Sequence, residues 1–72
     1  MKPTNEPDTI LTFDNQLTFK RFFKSLYGVA PFYFDGNDVV DEATDETVET
    51  VDFGSVTFAE ASHRIASNLE MI

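Results

Sequence analysis

The chain has no cysteine and no tryptophan, and its 72 residues include only three glycines, three prolines, one histidine and five lysines and arginines. Each scarcity excludes something. Without cysteine there are no disulfides and no thiolate metal sites, two devices by which small domains offset a small core; the lack fits a reducing compartment. Five bases against thirteen acids leave a formal charge of −8. A chain so charged repels nucleic acid and anionic membrane, so neither is an expected direct partner. Long hydrophobic runs are also missing. The longest, Val29–Phe34, is broken by Pro31 and is far too short to span a bilayer. The opening MKPTNEPD lacks an apolar core of signal-peptide length. The expected setting is therefore the cytoplasm, of the host if the source is viral.

What is present is aromatic and acidic. Eight Phe and two Tyr supply apolar area, and 42% hydrophobic residues place the chain among globular proteins. One domain over residues 9–72 is expected, after a loose tail, Met1–Asp8, with two prolines. Thr9–Phe13 is β-prone and reads as a short strand. Asp14 and Asn15 offer N-cap oxygens. Phe19, Phe22, Phe23, Leu26 and Tyr27 then follow helical spacing, and Gly28 stands where a terminating glycine belongs, which predicts a helix over Gln16–Tyr27. Lys20, Arg21 and Lys24 fall on its solvent side.

Val29–Phe34 reads as a strand, and Pro31 assigns it to a sheet edge or to pairing only at its far end. Asp35-Gly36 signals a hairpin whose two-residue loop puts Phe32 opposite Val39 and Phe34 opposite Asn37. Asn37–Glu42 is the returning strand, Ala43–Glu46 a turn, and Thr47–Phe53 a third strand. Thr57 and Glu60 have capping-box spacing, and Phe58, Ala61, Ile65, Leu69 and Ile72 form a helical stripe, so a second helix is expected over Phe58–Met71. The fold expected is α+β: a small two-layer β-α-β-β-β-α arrangement, with two helices on one face of a three- to four-stranded, mostly antiparallel sheet.

The most unusual segment is DGNDVVDEATDETVETVD, residues 35–52, in which eight positions are acidic and none is basic. Folded as two strands of about nine residues it spans roughly 30 Å, about one charge per 3.7 Å, against ~3.4 Å along one DNA strand. Such a surface suits the basic groove of a nucleic-acid-binding protein, with carboxylates standing in for phosphates. Asp38, Asp41, Glu42, Asp45, Glu46, Glu49 and Asp52 are the candidate partner-binding residues. The bland alternative is a solvated face that serves solubility. Asp35, Asn37 and Glu46 match three positions of a calcium loop, but valines occupy two positions that need glycine and an oxygen ligand.

Catalytic signals are weak. Glu60 and His63 form one E-x-x-H, but a di-iron site needs two such motifs and two further glutamates. There is no G-x-S-x-G, P-loop or dinucleotide fingerprint. The expectation is a non-enzymatic protein with no cofactor and no metal. In size and charge, though in no motif, it resembles phage-encoded inhibitors, including some anti-CRISPR proteins and DNA mimics. That resemblance implies an inhibitor or regulator that blocks a basic, nucleic-acid-binding surface of a partner protein. The alternative is a self-associating scaffold, a homodimer, joined through surplus phenylalanines of the two helices.

Overall fold

The computed structural model describes residues 7–72. The expected tail therefore lies outside the described residues up to position 6. Pro7 is tied in, its carbonyl accepting from the Ala59 N–H at 3.1 Å.

The first helix, α1, spans Gln16–Tyr27 as the periodicity predicts. A one-turn 3-10 segment, Phe13–Asn15, leads into it. Asn15 does not cap it by side chain; its Oδ1 accepts from the Thr12 N–H at 2.8 Å and its Nδ2 donates to the Ile10 carbonyl at 2.9 Å. At the other end Gly28, at φ 90, donates its N–H to the Lys24 carbonyl. Phe19, Phe22 and Phe23 are buried. Leu26, placed on the apolar stripe by spacing, is 54% exposed.

Three short strands follow: β1, Phe32–Asp35; β2, Asp38–Asp41; and β3, Thr47–Thr50. They form one antiparallel sheet in that order, which makes β1 an edge strand as Pro31 foretold. The hairpin register differs from the expected one. Phe34 faces Val39, Phe32 faces Asp41, and Asp35 faces Asp38, so the loop is Gly36-Asn37. Gly36 has φ 65, the left-handed value that a first loop position needs in a type II′ turn and that glycine adopts without steric cost. Both registers keep Phe32, Phe34 and Val39 on the same side, so hydrophobic pattern alone does not separate them.

The fourth strand does not form. The β-prone Thr9–Phe13 segment instead runs beside the loop that enters the second helix, α2, Phe58–Asn68. Among the described residues its only bridge is Ile10 with Thr57. Leu11 donates to Val56 and Thr9 accepts from Phe58, each at 2.8 Å. The order of elements is thus α-β-β-β-α. The first N–H groups of a helix have no partner within it; here Phe58 and Ala59 donate theirs to Thr9 and Pro7. The Thr57 hydroxyl accepts from the Glu60 N–H at 3.2 Å. Glu60 does not complete the expected box; its carboxylate meets Arg64 at 3.7 Å. The helix stops three residues short of the predicted Met71, at a turn with Glu70 at φ 60. Met71 there donates to Ala66 and Glu70 to Ser67, the bond pair of a Schellman motif.

Both helices lie on the sheet face that carries Phe32, Phe34 and Val39. Phe19 joins the layers, its ring centroid 5.3 Å from Phe58, 6.0 Å from Phe34 and 6.3 Å from Phe32. Leu11, Val51, Val56, Ala61, Ile65 and Ala66 complete the buried cluster. The phenylalanines of α1 are thus consumed by the core, and no surplus among them is left for an interface. No helix among the described residues is long and apolar enough to cross a membrane.

Candidate functional site

The acidic segment does not fold into a continuous strip. The strands of its hairpin are four residues each, about 13 Å long, and antiparallel pairing divides the side chains between two faces. Directly paired residues share a face, so Val39 brings Glu49 to the helix side. There Glu49 meets the Arg64 guanidinium at 3.6 Å and accepts from the Asn68 amide at 2.7 Å. Its side chain is only 18% exposed. Glu49 therefore clamps β3 to α2 and is not free for a partner.

Asp35 and Asp38 pair with each other at the other end of the hairpin, on the open face. Asp38 accepts from the Thr50 hydroxyl at 3.2 Å. Asp52 is exposed beyond the end of β3.

The remaining four candidates converge on the turn between β2 and β3. Asp41 builds that turn. Its carboxylate accepts from the Ala43 N–H at 2.8 Å, its carbonyl accepts from the Asp45 N–H at 2.7 Å, and its own N–H donates to the Glu46 carbonyl at 2.9 Å. Asp45 is held at φ 60, a conformation that Asp and Asn tolerate better than most residues. With the backbone so folded, Glu42, Asp45 and Glu46 all point into solvent. Among the described residues every ion pair involves Arg64, with Glu49 or Glu60 as partner. Among the described residues the acids of the turn have no cation within pairing distance.

Tyr33 joins this cluster, and sequence reading missed it. Its hydroxyl donates to Asp45 Oδ1 at 3.0 Å across the open face. The hydrogen bond to Asp45 holds the Tyr33 phenol above the usual tyrosine range, helped by desolvation and by the negative charges of Asp45 and Asp35. On the same face Val40, paired with Tyr33, is buried outside the main core. The only advance signal was a tyrosine at alternate spacing in a strand, which does not reveal a contact twelve residues away.

The other side of the edge strand carries the opposite charge. Lys20, Arg21 and Lys24 line an open groove of about 540 Å³ between α1 and the start of β1, with Glu42 at its border. None of the three meets an acid at ion-pair distance among the described residues. His63 and Glu60 are both exposed on α2. Among the described residues no group of three potential metal ligands is gathered in one place. No protein-family model matches the chain, and no curated protein or solved structure is similar to it at a significant level.

Proposed function

We propose that this protein is a non-enzymatic inhibitor or regulator that binds a basic, nucleic-acid-contacting surface of a partner protein through the acidic turn between β2 and β3. The observation that carries the reading is the cluster of Glu42, Asp45 and Glu46, exposed and, among the described residues, without a salt bridge, on a turn ordered by Asp41. Like charges gathered without cations subtract from the stability of a small domain. A partner that brings arginines and lysines to the turn relieves that repulsion on binding and gains charge-assisted hydrogen bonds.

Geometry narrows the expectation formed from sequence. With the strands short and Glu49 engaged by α2, the acids form a compact patch at one end of the hairpin, not a duplex-length row. The matching surface is a local basic pocket, such as one that grips a few phosphates.

The test uses immobilised wild type beside a variant carrying Glu42→Gln, Asp45→Asn and Glu46→Gln. Asp41 is left intact because it holds the turn. The expected result is a basic nucleic-acid-binding protein retained from lysate by the wild type alone, released by moderate salt and displaced by added duplex DNA. Equal retention by both proteins, or retention that DNA cannot displace, would overturn the reading.

A further inference from the structure

The protein also carries a second surface, which meets the acidic turn only at Glu42. β1 is the edge of the sheet. Two concavities border it. The first is the basic groove, to which Leu17, Val29 and Pro31 add apolar lining. The second, about 220 Å³, is lined by Gln16, Tyr33 and Phe34 and shares Leu17 and Lys20 with the first. Together they border β1 from Pro31 to Phe34. Leu17 is 67% exposed and Val29 54%, so the apolar lining is open to an occupant.

The backbone of this edge has hydrogen-bonding capacity to spare. In a two-residue hairpin the pair that closes the loop, here Asp35 with Asp38, exchanges both its bonds, and successive pairs then alternate. Phe34 and Phe32 therefore belong to the pairs that do not bond across to β2. The turn bonds agree: Phe32 donates to Ala30 at 2.9 Å, Glu42 donates to Pro31 at 3.1 Å, and Asp41 donates to Glu46. This alternation turns the Phe34 N–H, the Phe34 C=O and the Phe32 C=O toward the open edge. Beside them the Gln16 side-chain nitrogen is buried without a partner. A buried donor left unpaired is costly, and an occupant bringing an acceptor would remove that cost.

We propose that this edge is a docking site for an extended acidic segment of a partner protein, which adds to β1 as a fourth strand. Main-chain bonds to Phe34 and Phe32 align it, as in other cases of strand addition. Alternate side chains then point the same way, about 6.6 Å apart. On the face turned toward α1, acidic ones meet Lys20, Arg21 and Lys24, with Leu17 and Val29 packing around them. Charge complementarity selects the occupant: three of the chain's five bases line this one groove, on a molecule of formal net charge −8. Pro31 bounds the site, because it has no N–H to offer an added strand.

The probe is a synthetic hexapeptide alternating Glu and Val, with an alternating Lys and Val peptide as control, followed by amide hydrogen exchange and backbone NMR shifts. The expected result is slowed exchange at the Phe34 amide and shifts along α1 from Leu17 to Lys24, with the acidic peptide only. Lys20→Glu, Arg21→Glu and Lys24→Glu together should weaken binding about tenfold or more. Arg21→Glu alone, at an exposed position, shows the same direction if the triple variant folds poorly. The Asp45→Asn, Glu46→Gln protein should bind the peptide as the wild type does, which separates this site from the acidic turn. No protection of Phe34 at millimolar peptide, or equal effects from the basic peptide, would overturn the proposal. Concentration-dependent protection of Phe34 without peptide would also overturn it, by naming a second copy as the occupant.

Discussion

Tyr33 shows how one contact links the acidic patch to pH. Its hydroxyl must keep its proton to donate to Asp45, and its folded pKa is raised above the ordinary value near 10. The stability this bond contributes is therefore fully present below the unfolded pKa and is lost as pH rises through the higher folded one. Asp45→Asn keeps a residue suited to φ 60 but removes the charge. It should lower the Tyr33 pKa toward the ordinary value, as read by ring chemical shifts in an alkaline titration; an unchanged titration would mean that Asp45 is not the cause. Phe19 is the corresponding residue in the core. Its ring meets those of Phe23, Phe32, Phe34 and Phe58. Phe19→Ala should cost about 3–5 kcal/mol, a large part of the stability of a domain this small. Urea denaturation would measure it, and a loss below about 1 kcal/mol would mean that the surrounding rings repack to fill the cavity.

Among the elements, α2 has the better start and the poorer end. Three devices satisfy its first turn: the Thr57 hydroxyl and the carbonyls of Thr9 and Pro7. Its C-terminus closes through Glu70 at φ 60, where a side chain is disfavoured and glycine is not. Glu70→Gly should stabilise the protein by about 0.5–1 kcal/mol, a rise in Tm of about 2–8 °C for a domain of this size. A fall in Tm would mean that the Glu70 side chain makes a compensating contact. The same substitution also removes one acid from an acidic molecule, so Glu70→Gln serves as the charge control.

At the scale of the whole molecule, charge is segregated. The acids crowd the hairpin and three bases line the groove beside α1. Arg64 is the only cation in a salt bridge among the described residues. Raising ionic strength from about 10 mM to about 150 mM shortens the Debye length from about 30 Å to about 8 Å. Repulsion among the turn acids weakens over that range, and the Tm should rise. A Tm that stays flat would mean that the acids are too dispersed to repel one another appreciably.

Much of the architecture was legible in the sequence because its signals are local. The 3.6-residue spacing of Phe19, Phe22 and Phe23, closed by Gly28, set α1 at Gln16–Tyr27; Pro31 put β1 at the edge; Thr57 marked the start of α2. Each depends on neighbours within about one turn of chain. What tertiary structure decided were choices that local patterns leave degenerate. A register shift of two residues keeps every side chain on its face; what separates the two registers is the backbone, since a type I′ loop at Asp35-Gly36 needs a positive φ at both residues and Asp35 does not have one. Thr9–Phe13 had strand propensity, but its neighbour is a loop with few positions to pair. The acids looked equivalent along the chain. Only the approach of Arg64 and Asn68 to Glu49, and the folding of the turn around Asp41, separated those that hold the structure from those left facing solvent. Opposite charges meet when packing brings distant segments together, and composition does not encode that distance.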